Sequence, residues 1–134
     1  AGLNRMNIKP TVTEDLSLDE FVPSPGQGIL CIEYLKSNVL LKRKLKNISH
    51  EDTEICGMAE RIFAAKMDGD CLSPIGAYAD INNNMLTITG YVASLDGKRF
   101  IKNKISGNKK DFSELSCRLS EVFINMGSKG LIKC

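Results

Sequence analysis

Residues 75–106, IGAYADINNNMLTITGYVASLDGKRFIKNKIS, decide the fold. Three β-prone runs, 75–81, 85–94 and 99–106, are separated by Asn82-Asn83-Asn84 and by Asp96-Gly97. Asparagine, aspartate and glycine tolerate the left-handed backbone that a tight hairpin turn demands, and Asp-Gly between apolar runs is a strong hairpin signal. A meander of three antiparallel strands follows.

Outward from the meander, the flanking residues read as helices. From Ser49 the chain carries Ile55, Met58, Ala59, Ile62 and Phe63 on one helical stripe, and Ser49 with Asp52 has capping-box-like spacing. That helix is expected to run to about Met67. Asp111, with Glu114 three residues later, starts a last helix whose Phe112, Leu115, Leu119, Val122, Phe123 and Met126 share a face, and Gly127 ends it. Helix, three strands, helix predicts an α+β architecture, a three-stranded antiparallel sheet covered on one face by helices.

The residues before 49 are less regular. Pro10, Pro23 and Pro25 punctuate a polar segment that could hardly fold by itself. In GQGILCIEY, Gly26 and Gly28 flank Gln27 and an apolar run at 29–32 follows, the pattern of a tight turn entering a buried strand. Val39, Leu40, Leu41, Leu45 and Ile48, with Lys42, Arg43, Lys44 and Lys46 between them, predict a basic amphipathic helix.

With 134 residues and 43% hydrophobic content the chain can bury a real core. A net charge of +2 is too mild to argue for nucleic acid as a partner. No run approaches the roughly 18 apolar residues of a membrane span. The opening AGLNRMNIKP lacks the apolar core of a signal peptide, so the expectation is a soluble cytoplasmic protein with no membrane partner. Five cysteines without a CxxC pair, and a single histidine, His50, suggest neither a disulfide framework nor a zinc site. Cys31, Cys56 and Cys117 fall within apolar patterns, where free cysteine behaves as a small buried hydrophobe, and Cys134 is terminal. Cys71 alone stands in a turn, between Gly69 and Pro74, where a thiol is presented for modification.

Gly26-Gln27-Gly28 followed by Ile32-Glu33, then Ala59-Glu60-Arg61, then Gly69-Asp70-Cys71 with Pro74-Ile75-Gly76-Ala77-Tyr78, together resemble the C-terminal half of porphobilinogen deaminases, also called hydroxymethylbilane synthases. The opening Ala1-Gly2-Leu3-Asn4-Arg5 resembles the family's Ala-Gly-x-Lys-Arg segment, so the likeness covers essentially the whole chain. It implies three domains in the complete enzyme, with residues 1–48 here a remnant of the second and first, and residues 49–134 the C-terminal cofactor-attachment domain. It further implies condensation of four porphobilinogen molecules into hydroxymethylbilane with release of ammonia, for haem synthesis.

The resemblance implies that the growing polypyrrole starts from a dipyrromethane cofactor held by a thioether at Cys71. That chemistry suits a cysteine, because loss of ammonia from an aminomethylpyrrole leaves an electron-poor methylene that a soft sulfur captures. By the same resemblance Arg5 faces the acidic groups of the pyrroles, while Gln27 and Gly28 line the substrate cleft. Asp70 stands where the family has a second glycine, and a carboxylate beside sulfur disfavours thiolate. Asn4 stands where the family has lysine, one positive charge fewer. Glu60 and Arg61 are expected to pair structurally. The family's general acid lies in the first domain, so no catalytic residue is expected here; an N-terminal half would be a partner and the chain alone would be inactive.

A rival reading comes from the element order, which is also that of a double-stranded RNA-binding module, with Lys109-Lys110 placed before the last helix. Against it, Asp111 and Glu114 load that helix start with negative charge, as Glu51, Asp52 and Glu54 do the first.

Overall fold

The structure, a computed structural model, describes residues 2–68 and 72–132. Its elements are α1 (Gly2–Arg5), α2 (Val39–Leu45), α3 (Glu51–Met67), β1 (Ile75–Asn82), β2 (Met85–Ala93), β3 (Phe100–Asn108), a 3-10 turn (Lys109–Asp111), α4 (Phe112–Asn125) and α5 (Ser128–Ile132). The strands form an antiparallel sheet in the order β1-β2-β3, as the turn chemistry predicts. Asn83 and Asn84, at φ 50° and 64°, are the two left-handed residues that close the β1–β2 hairpin. In the second turn the Ser94 amide donates to the Arg99 carbonyl at 2.8 Å. There Asp96 accepts from the Ser94 hydroxyl at 2.6 Å and the Lys98 amide at 3.1 Å. Those bonds, the hydroxyl first, hold the Asp96 carboxyl below its ordinary pKa.

Strand alternation puts Ala77, Ala79, Leu86, Ile88, Val92 and Ile101 into the core, where α3 and α4 cover the sheet. Phe63 of α3 and Phe123 of α4 meet edge to face, 4.9 Å between centroids and 81° between planes, and neither ring is exposed. They sit on Gly90 of β2, where an added Cβ would lie 2.6 Å from Phe63 Cζ. Fully burying one such ring stabilises the fold by about 1.5–3 kcal/mol.

The structure corrects several local expectations. The buried face of α3 is Ala59, Glu60, Phe63 and Met67, while Met58 stays 45% exposed, so the stripe is rotated toward Glu60. His50, not Ser49, caps this helix, its Nδ1 accepting from the Thr53 amide at 3.3 Å, and the Ser49 hydroxyl instead donates to Glu54 at 3.0 Å. Asp111 makes no side-chain capping bond; Asn108 Oδ1 accepts from the Lys110 amide at 3.0 Å and opens the 3-10 turn ahead of α4. Beyond Gly127, α5 adds an unforeseen turn of helix and buries Ser128, whose hydroxyl lies 3.6 Å from Met67 Sδ.

The predicted buried strand at 29–32 does not form. Cys31 is exposed rather than buried, and Leu30 is 91% exposed. An apolar run becomes a strand only where another strand offers it a ladder, and none of the described strands pairs with this one. The basic helix α2 does form, with Asn38 Oδ1 capping the Leu41 amide at 3.0 Å, yet none of its residues is buried. Among the described residues no helix is long and apolar enough to cross a membrane.

Candidate functional site

β1 is an edge strand, and an edge strand leaves a row of backbone groups unpaired. Two amides on this edge find partners outside the sheet. The Ala77 amide donates to the Pro23 carbonyl at 2.9 Å, and the Ala79 amide donates to Glu60 Oε1 at 2.8 Å. Gly76 permits the first contact, since a Cβ there would lie 2.7 Å from the Val22 carbonyl oxygen. The second oxygen of Glu60 accepts from the Gly26 amide at 2.6 Å. Glu60 therefore bridges α3, β1 and the turn that holds Gln27 and Gly28, and its expected pairing with the exposed Arg61 is not what its carboxylate does.

That turn is two overlapping tight turns: the Gln27 amide donates to the Ser24 carbonyl and the Ile29 amide to the Gly26 carbonyl, both at 3.1 Å. Gly26 and Gly28 lie at φ 76° and 84°, with open space where a Cβ would be. Glycine is required there by backbone conformation rather than by crowding. Ile29 reaches back to α3, its Cδ1 3.1 Å from where a Gly57 Cβ would stand.

Between the turn, α3 and β1 lies a cavity of about 390 Å³. Gln27, Gly28 and Ile29 line one side, His50, Asp52, Thr53, Cys56 and Glu60 the helix side, and Tyr78, Ala79, Asp80 and Ile81 the strand side. Its electrostatics are acidic. Burial, then the carboxylates of Glu60, Asp80 and Asp52, push the Cys56 thiol up to about 11, so at neutral pH it is protonated and a poor nucleophile. Burial followed by Asp80, Cys56 and Glu60 raises Tyr78. Glu60 is raised by burial, against the pull of its two amide donors. Among the described residues no lysine or arginine lines this cavity, so its described walls suit N–H donors and cations rather than carboxylates.

The structure brings Gln27 and Gly28 to this cavity and leaves Arg5 out of it, exposed at the end of α1. Cys71 lies outside the described residues; in sequence it falls between Asp68, the left-handed C-cap of α3, and Pro74, whose carbonyl accepts from the Ala93 amide at 3.0 Å. Sequence reasoning missed Glu60 and the residues that face it. The available signal was position: Glu60 lies in register with the buried stripe, four residues after Cys56 and three before Phe63. Lys109, which the RNA-binding reading needs free for phosphate, is held by Asp52 at 2.5 Å.

Residues 54–125 match the family model for the porphobilinogen deaminase C-terminal domain, and residues 1–43 match that for the porphobilinogen deaminase dipyromethane cofactor binding domain. Curated porphobilinogen deaminases are similar along nearly the whole chain. That of Alkaliphilus metalliredigens is 39% identical over 133 residues, 99% of this chain and 42% of the relative. That of Clostridium acetobutylicum is 40% identical over 126 residues, 92% of this chain and 42% of the relative. That of Carboxydothermus hydrogenoformans is 34% identical over 133 residues, 99% and 43% respectively. The chain thus spans less than half the length of the curated relatives it matches. Since the C-terminal model alone matches more than half of its residues, the chain belongs to the porphobilinogen deaminase family.

Proposed function

We propose that the chain is the C-terminal part of an enzyme that joins four porphobilinogen molecules into hydroxymethylbilane, releasing ammonia, and that Cys71 is its covalent anchor for dipyrromethane. The observation that carries this reading is the bridge at Glu60. It fastens the turn at 26–29, within one family match, to α3 and β1, within the other, so that both matched regions shape one cavity. We take residues 1–48 as the remnant of neighbouring domains and 49–134 as the cofactor-attachment domain, acting in the cytoplasm.

The flanks suit an anchoring role. Asp68 ends α3 in a left-handed conformation, and Leu72, after Cys71 in sequence, is 84% exposed. Attachment forms a carbon–sulfur bond from the thiol to the pyrrole methylene as its carbon–nitrogen bond breaks; the thiol proton is lost and the amine leaves as ammonia. Once bound, dipyrromethane supplies the ring end to which further pyrroles are added. Gln27 and Gly28 would present backbone and amide groups toward pyrrole N–H, and Arg5 a bidentate guanidinium toward pyrrole carboxylates. The acidic cavity walls repel those carboxylates, so their remaining cations, like the general acid, belong to an N-terminal half. For this reason the 134-residue chain alone should consume no porphobilinogen.

Intact mass of the chain purified from haem-making cells tests the anchor. An adduct of two pyrrole units, absent from Cys71→Ser, is expected. An adduct that survives Cys71→Ser would overturn the assignment, and porphobilinogen turnover by the pure chain would overturn the need for an N-terminal half.

A further inference from the structure

We propose that Glu60 is a positioning residue, whose carboxylate fixes the 26–29 turn against the β1 edge and so sets where Gln27 and Gly28 stand at the cavity. Its functional meaning rests on the reading of Gln27 and Gly28 as substrate-facing, but its geometry does not.

Each carboxylate oxygen has its own donor, Gly26 at 2.6 Å and Ala79 at 2.8 Å, from segments 34 and 19 residues away. Only 4% of Glu60 is exposed, and among the described residues no lysine or arginine pairs with it, so its charge is met by two backbone dipoles. The turn has few fixings of its own. Its two left-handed glycines offer no side chains, so beyond its own two hydrogen bonds and the Pro23–Ala77 bond just before it, Ile29 on Gly57 and the Glu60 bridge hold it. A buried carboxylate where an apolar residue would extend the stripe is costly unless donors meet it, and here the Gly26 and Ala79 amides do.

A carboxylate is the group the two amides require. Glutamine has one oxygen for two donors, and its NH2 would oppose an N–H; a protonated glutamate has the same defect. The groups facing Glu60 are Cys56 on α3 and Tyr78 and Asp80 on β1, with Asp52 and His50 on the same cavity wall; the turn itself contributes none that titrates. Because the folded protein raises Glu60 above its ordinary 4.5, the folded state binds the proton more tightly than the unfolded one. Glu60's contribution to stability therefore falls as pH rises from 4.5 through the raised value, while the grip on the turn tightens over the same window.

Amide hydrogen exchange and NMR titration of the ligand-free 134-residue chain test this. In Glu60→Gln, exchange at Gly26 and Ala79 should speed up at least about tenfold, while core amides such as Ile88 and Phe123 keep their protection. In the wild type the Gly26 and Ala79 resonances should titrate together with a midpoint above ordinary glutamate. That shared titration should vanish in Glu60→Gln and persist in His50→Asn and Cys56→Ser. Should Glu60→Gln not fold, Glu60→Asp, with a shorter reach, should protect one of the two amides but not both. Unchanged protection at Gly26, or loss spread evenly through the core, would overturn the proposal. Because no ligand is present, a failure of the Cys71 adduct test leaves this result standing, and the two readings fail separately.

Discussion

Gly90→Ala tests the central packing of the fold. Gly90 pairs with Ala77 on β1 and Asn103 on β3, in the middle of the sheet. A Cβ there would lie 2.6 Å from Phe63 Cζ, 2.9 Å from Phe63 Cε2 and 3.0 Å from Phe123 Cζ. Neither ring can retreat into solvent, since both are fully buried and each braces the other at 4.9 Å. Forcing a methyl into such a core costs about 1–3 kcal/mol, and disturbing an edge-to-face pair adds about 0.5–1.5 kcal/mol. Alanine returns about 0.4–1 kcal/mol by restricting the unfolded chain. The net is a loss of about 2 kcal/mol, which lowers a urea midpoint by about 1 M for a domain of this size. Reversible urea unfolding under reducing conditions measures it. Phe123→Leu thins one of the two crowding rings and gives Phe63 room to move, so Gly90→Ala should cost less in that background. A wild-type midpoint for Gly90→Ala, or an equal cost in both backgrounds, would refute the packing argument.

Two further outcomes are expected. With iodoacetamide at pH 8, peptide mapping should find exposed Cys31 alkylated well before Cys56, whose thiol reacts readily only as pH nears its value of about 11; Asp80→Asn should bring that threshold down. Lys109→Ala removes the ion pair with Asp52 that joins the 3-10 turn to the start of α3, and Asp52 itself raises the Lys109 pKa through that bond. The variant should melt below the wild type at low salt, with the gap narrowing near 1 M salt as the pair is screened. A gap independent of salt would show that the side chain acts through packing instead.

The sheet and its covering helices were legible because their signals are local. Alternation along β2, the asparagine pair at 83 and 84, Asp96-Gly97 and the stripe of α4 each act within a few residues and agree with one another. Caps were less legible. Ser49 and Asp111 have the chemistry to cap, but the choice falls on the residue whose backbone angles bring an acceptor to the helix amides, here His50 and Asn108. The segment SKGLI is too short to show a period, and α5 owes its place to Leu131 and Ile132 packing against the core, with Ser128 buried beside Met67. At 29–32 the apolar residues announced a need for cover without saying what would cover them.

By itself the chain's order of residues determined the α+β meander, the family resemblance, and the placing of Gln27 and Gly28 in a glycine-bounded turn, because each is written in neighbouring residues. Only the tertiary structure decided the partners of Glu60. A glutamate on a helix reads as solvated until two backbone amides, from segments far away in sequence, arrive at its oxygens. Burying that charge is tolerable only when both donors are in place, and this condition belongs to the folded arrangement rather than to any stretch of sequence.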